Sequence, residues 1–193
     1  MTLDALIDSL PSSAKDLKLN YSSLVRNKTE LTPQQLWGTV VASAIATRSA
    51  PLTAAVLEAA QAQLSAPALE AARTAATVMG MNNIFYRFQH LSSNPRYSTM
   101  GARLRMNGLR DHGVEEVDFE LWSLAVSAIN GCGKCLDAHE RVVREKGATE
   151  DLVLAVVRVA AVVHALGVAL DAAGAVEVTV QASVEAGAVA AIA

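Results

Sequence analysis

Apolar and polar positions along the chain fall into helix-length blocks, separated by short breaks carrying proline, glycine or polar residues. Leu3 to Leu10 forms a short amphipathic segment that stops near Pro11, and Asp16 to Arg26 forms the next. Thr32-Pro33-Gln34-Gln35 supplies an N-cap threonine with a proline at the first helical position, and the helix it opens is expected to run to about Arg48. Thr53 to Leu64 and Pro67 to Phe88 read as further helices. Ser92 to Leu109 is polar and holds Pro95, Gly101 and Gly108, so it reads as loop with some helix. Asp118 to Ile129 is helical, Asn130-Gly131 breaks or bends it, and Cys132 to Lys146 resumes a helix that Gly147 can cap. Thr149-Glu150-Asp151 opens a long apolar helix. Gly174 to Ala193 is a tail of unassigned state: Val176 to Val180 alternates as a strand does, but one strand makes no sheet. The expected class is all-α.

Composition supports that class. The chain has 193 residues, enough for one domain or two tightly fused halves with a buried core. Aromatic residues make up only 4% against 52% hydrophobic, so the core has to be built from Ala, Val and Leu, which favours closely packed helices over a sheet. A net charge of −3 gives no reason to expect nucleic-acid binding. Asp4 and Asp8 interrupt the early apolar positions, unlike a secretory signal. Arg158 and His164 interrupt Leu152 to Leu170, whereas a membrane span needs about 20 apolar residues with few charges. A soluble, cytoplasmic protein is expected.

Candidate chemistry concentrates in Cys132-Gly133-Lys134-Cys135-Leu136-Asp137-Ala138-His139. These are the only two cysteines in the chain, and on a helix positions i and i+3 lie on neighbouring ridges, close enough for a dithiol that can close. His139 stands one turn beyond Cys135 on the same face, a base beside one sulfur. In a reducing compartment such a pair points to catalysis or metal binding before a structural staple. Glu120 lies twelve residues before Cys132, at the start of the preceding helix. It reads either as a carboxylate favoured by the helix dipole or as a group folding back to orient His139. Phe119 and Trp122 flank it and are expected to shield the site. His90, His112 and His164 read as surface or packing histidines, His164 being the one expected to be most buried.

The segment Leu36-Trp37 to Ile45 resembles Leu121-Trp122 to Ile129 with one residue of slippage, and Trp37 and Trp122 are the only tryptophans. On this reading a single domain, 1–193, holds an N-terminal half (about 1–110) that is a degenerate copy. A C-terminal half (about 111–175) carries the dithiol, and 176–193 is the tail. Arg48 and Pro51 of the first copy fall where the second has Cys132 and Cys135.

The run from Glu120 to His139, E-x(11)-C-x-x-C-x-x-x-H, resembles the active-site signature of the alkyl hydroperoxide reductase D family in the carboxymuconolactone decarboxylase-like superfamily. The likeness extends over nearly the whole chain, including Asn83-Ile-Phe-Tyr-Arg87 and the Arg158 to Leu170 helix. It implies an all-helical homotrimer with weak peroxidase activity on organic hydroperoxides. It also implies electron transfer from dihydrolipoyl groups on a dehydrogenase-complex acyltransferase to a partner peroxiredoxin, alkyl hydroperoxide reductase C, with no bound cofactor or metal. Carried over, Cys135 is the peroxidatic cysteine that passes through a sulfenic acid and forms the interchain disulfide with the peroxiredoxin. Cys132 is the resolving thiol and proton donor that closes the redox disulfide, and His139 and Glu120 form the proton relay. Lys134 departs from relatives that carry a histidine there. It relays a proton less readily near neutral pH, but its charge favours a thiolate.

Other readings stay open at this level. Cys132, Cys135, His139 and Glu120 could ligate zinc, although no second ligand pair accompanies them. A thioredoxin-like site would need a strand before the C-x-x-C, where a helix is expected. A redox-sensing or purely structural trimer without turnover is the remaining alternative.

Overall fold

Thr32 caps the first of the central helices. Its hydroxyl accepts the Gln35 N–H at 3.2 Å while Gln35 Oε1 accepts the Thr32 N–H at 3.1 Å, with Pro33 at the first helical position. The computed structural model describes residues 1–27 and 29–190, among which nine α-helices and no strand occur. They are α1 (Leu3–Asp8), α2 (Lys15–Tyr21), α3 (Pro33–Thr47), α4 (Ala50–Ala60), α5 (Ala66–Leu91), α6 (Arg96–Thr99), α7 (Glu116–Ile129), α8 (Gly133–Glu145) and α9 (Glu150–Ala190). The helices follow the breaks in the sequence to within a few residues. Ser22–Arg26 winds as a π-turn after α2, and α6 with a 3-10 turn at Asn107–Leu109 supplies the helix within the segment read as loop.

The tail, which the sequence leaves unassigned, is largely helix. α9 continues past Gly174 to Ala190, so the strand-like alternation of Val176 to Val180 is overridden. A helix satisfies its own backbone donors and acceptors, whereas a lone strand has no partner for them. One glycine costs a helix interior only about 1 kcal/mol. Residues 191–193 of that tail lie outside the described residues.

α3 and α7 pack on each other at the centre, and both also contact α5 and α9. α8 lies on α7 and α5, α4 on α3, α1 on α4, and α2 on α9. Small side chains permit this close packing: Val40, Val41, Ala42 and Ala44 of α3 are fully buried, as are Ala125 and Val126 of α7. Trp122 fills the space between the two central helices, its indole N–H donating to the Gln35 carbonyl at 3.3 Å. It fits because Gly38 faces it: a Cβ there would stand 2.1 Å from the Trp122 ring. By length and composition, Glu150–Gly174 could cross a membrane; here its Val156, Val159, Ala160, Val163 and Leu166 are buried against the protein.

Candidate active site

The turn between α7 and α8 builds the site. Asn130 ends α7, Gly131 takes a left-handed φ of +65°, and Cys132 becomes the N-cap of α8. That capping position aims the Cys132 sulfur at the free backbone donors of the new helix, and Sγ accepts the Cys135 N–H at 3.3 Å. The two Cα atoms are 5.3 Å apart and the sulfurs are joined as a disulfide. Cys135 lies one turn into α8 and His139 one turn further on the same face.

Glu120 is not at the very start of α7 but in its second turn, on the face that meets α8. Its Oε2 lies 2.6 Å from His139 Nδ1, both side chains being mostly buried. A carboxylate accepts, so Nδ1 is the donor of this contact and Nε2 is the ring nitrogen that Glu120 leaves free.

A cavity of about 250 Å³ opens onto this face. Cys135 and His139 line it together with Met79, Asn82 and Tyr86 of α5, and with Met106 and Leu109 from the segment before α7. Cys132 does not line it and is 0% exposed, against 5% for Cys135. Only one sulfur of the pair is presented to an incoming molecule. Phe119 and Trp122, expected to shield the site, are buried in the core on either side of Glu120 and are not among the cavity's lining residues.

Side chains of α5 fix the turn. Arg87 donates to the Asn130 carbonyl at 2.5 Å, Asn130 Nδ2 donates to Asn83 Oδ1 at 3.0 Å, and Asn83 Nδ2 donates to Ser127 Oγ at 3.0 Å. The Asn83 to Arg87 motif thus holds the loop that delivers the cysteines. Asn82, Tyr86 and Gln89 escaped the sequence reading as site residues, although their i, i+4, i+7 spacing puts three polar-tipped side chains on one helical face. Asn82 is buried with Oδ1 unpartnered, and its Nδ2 lies 3.9 Å from the Met79 sulfur. Lys134 reaches Gln89 Oε1 at 3.3 Å and lies over the Tyr86 ring at 5.3 Å.

Of the other histidines, His90 is exposed, with Nε2 4.0 Å from where a Cβ on Gly133 would stand. His112 is half-buried, stacked on Phe119 with ring centres 4.2 Å apart, and His164 is half-buried on α9. Among the described residues, no group of three His, Cys, Asp or Glu side chains is placed to hold a metal ion.

Comparison with known proteins supplies the lineage of this arrangement. Residues 95–178 match the model of the carboxymuconolactone decarboxylase family. A protein of Acidobacterium capsulatum named alkyl hydroperoxide reductase AhpD is 73% identical over 89% of this chain and 94% of its own length. The chain belongs to the AhpD family. Like-named relatives from Koribacter versatilis and Solibacter usitatus are 59% and 57% identical, each over 89% of this chain and over 89% and 96% of their own lengths. In this AhpD-family chain, the dithiol, the Glu120–His139 pair and the cavity wall from Met106 and Leu109 all fall within the matched span, and the α5 side chains that line the cavity precede it.

Proposed function

We propose that the chain is an antioxidant oxidoreductase of the alkyl hydroperoxide reductase type that reduces organic hydroperoxides through Cys135. The observation that carries this reading is the asymmetry of the dithiol: Cys135 shares a cavity with His139, and Cys132 is sealed behind it. In the reduced enzyme His139 Nε2 takes the Cys135 proton, and Glu120 holds the imidazolium through Nδ1. The Cys135 thiolate attacks the terminal oxygen of the hydroperoxide. The O–O bond breaks, Cys135 becomes a sulfenic acid, and the alkoxide takes the proton back from the His139 imidazolium to leave as the alcohol. Cys132 then attacks the sulfenic sulfur, water departs and the disulfide closes before further oxidation.

Dihydrolipoyl groups on a dehydrogenase-complex acyltransferase return the two electrons. A donor thiolate attacks Cys135, the accessible sulfur, and expels Cys132 as a thiolate. The Cys135 N–H and the start of α8 favour that leaving group, since a stabilised thiolate departs faster. The donor's second thiol then displaces Cys135, and the donor leaves as its cyclic disulfide. The same dithiol hands electrons to a peroxiredoxin, alkyl hydroperoxide reductase C, through an interchain disulfide at Cys135. No bound cofactor is needed for these steps. We place the protein in the cytoplasm as a homotrimer built from chains with two related helical halves.

Peroxide consumption with dihydrolipoamide as donor tests the reading. Turnover by the wild type, lost by at least about 10³-fold in both Cys132→Ser and Cys135→Ser, is expected. An intact fold with no turnover on any dithiol donor would leave only a sensing or structural role.

A further inference from the structure

We propose that the arginine-bearing segment between α5 and α7 is a docking surface for an acidic protein partner, positioned to bring that partner's reducing arm to Cys135. The segment between α5 and α7, residues 92–115, contains four arginines against two acids, Asp111 and Glu115, leaving twelve cations against seventeen anions in the rest of the chain. Arg96, Arg103, Arg105 and Arg110 are exposed and make no ion pair among the described residues. A concentrated positive field on a protein of net negative charge has a physical use: it selects and steers one kind of partner.

Placement ties this field to the dithiol. Met106 and Leu109, which line the cavity beside Cys135, are neighbours in sequence of Arg105 and Arg110. Gln89 anchors the segment, its Nε2 donating to the Tyr97 and Met100 carbonyls at 2.7 and 2.9 Å. The same side chain accepts from Lys134, the residue between the two cysteines, which adds a fifth exposed cation at the mouth. Arg103 is held at a left-handed φ of +51°, a conformation a bulky residue adopts at a cost and one that recurs at functional loops. Lys134 thus lines the cavity itself, and Arg105 and Arg110 adjoin its apolar lining residues Met106 and Leu109 along the chain, a combination suited to an acidic surface carrying an apolar arm.

The proposal rests on the donor reading given under Proposed function, and one experiment separates the two. Reduction of the Cys132–Cys135 disulfide in the full chain is followed with three donors: free dihydrolipoamide, an oligoglutamate peptide ending in dihydrolipoyl-lysine, and the same peptide with serines replacing the glutamates. The acidic peptide is expected to react at least about tenfold faster than the serine peptide at low ionic strength, and the advantage is expected to fade as salt is raised. Arg96→Glu, Arg105→Glu and Arg110→Glu together should abolish the advantage while changing the dihydrolipoamide rate less than about twofold. The corresponding glutamine variants should give an intermediate loss, and the salt series on the wild type needs no variant at all. Equal rates for the two peptides, or an advantage that persists in the glutamate variant, would overturn the proposal. So would a change in sedimentation of that variant, which would assign the surface to contacts between copies of the chain. If dihydrolipoamide reduces nothing but labelled oligoglutamate still binds in a salt-sensitive, arginine-dependent way, the donor reading fails and the docking surface stands.

Discussion

With Nδ1 of His139 committed to Glu120, a single imidazole nitrogen is left for chemistry, and the cavity it lines takes in one cysteine of the pair. The proposed relay makes a prediction at this level. Glu120→Gln keeps the shape of the contact but removes its charge, and His139→Phe keeps a ring but removes the base. In the reduced protein both should move the pH dependence of Cys135 alkylation to higher pH, and both should lower peroxidase turnover by about 10²-fold or more. Unchanged alkylation profiles in both variants would remove the relay. These residues were legible in the sequence because three of them share one short helical segment and the fourth sits on the helix before it. Asn82, Tyr86 and Gln89 were not, because α5 lies more than forty residues earlier and nothing local in the sequence says that this helix faces Cys135. The Asn83 to Arg87 run was visible as a likeness. Its work, bonding Asn130 and Ser127 to hold the turn, is a long-range contact.

At the scale of elements, local chemistry writes the boundaries well: Thr32 with Pro33, Ser65 before α5 and Gly147 after α8 all mark ends that the helices obey. Such punctuation fails where a pattern has no partner, as in the Val176 to Val180 alternation that α9 absorbs. The α3–α7 contact shows how an apparently poor helix residue can be required by packing. Gly38 sits within α3, where alanine would by propensity alone stabilise the helix by about 0.5–1 kcal/mol. Its added Cβ would instead overlap the buried Trp122 ring, and α3 cannot yield without disturbing α5 and α9 as well. Overpacking of this kind costs about 1–3 kcal/mol or more, so the clash outweighs the propensity gain. Gly38→Ala should lower stability by about 1–2 kcal/mol net in denaturant unfolding, and in a double-mutant cycle it should cost less in a Trp122→Phe background than in the wild type. A stabilised Gly38→Ala variant would show that the two helices part more easily than their packing implies.

Across the whole molecule, the arrangement of helices is the least legible feature, since caps and periodicity do not say that α3 and α7 meet at the centre or that α1 and α2 fold back on α4 and α9. That folding back forms a second, larger cavity of about 590 Å³, lined in part by Asp4, Tyr21, Arg26 and Trp37 and by none of the four proposed site residues. Tyr21 is 3% exposed, Arg26 lies over its ring at 5.5 Å, and Arg26 pairs with Asp4 of α1 at 2.7 Å. Burial pushes the Tyr21 phenol up to about 12, the Asp4 carboxylate acting in the same direction and the Arg26 guanidinium against it. In the unfolded chain the phenol ionises near its ordinary value of about 10, so between about pH 10 and 12 the unfolded state binds fewer protons than the folded one. Stability then falls as pH rises through that window, while below it both states hold the proton and the contribution is complete. Tyr21→Phe retains the packing and removes the titration. Denaturant midpoints measured from pH 9 to 12 should therefore fall more steeply for the wild type than for the variant, and parallel curves would mean that the phenol is open to solvent when the N-terminal helices are docked.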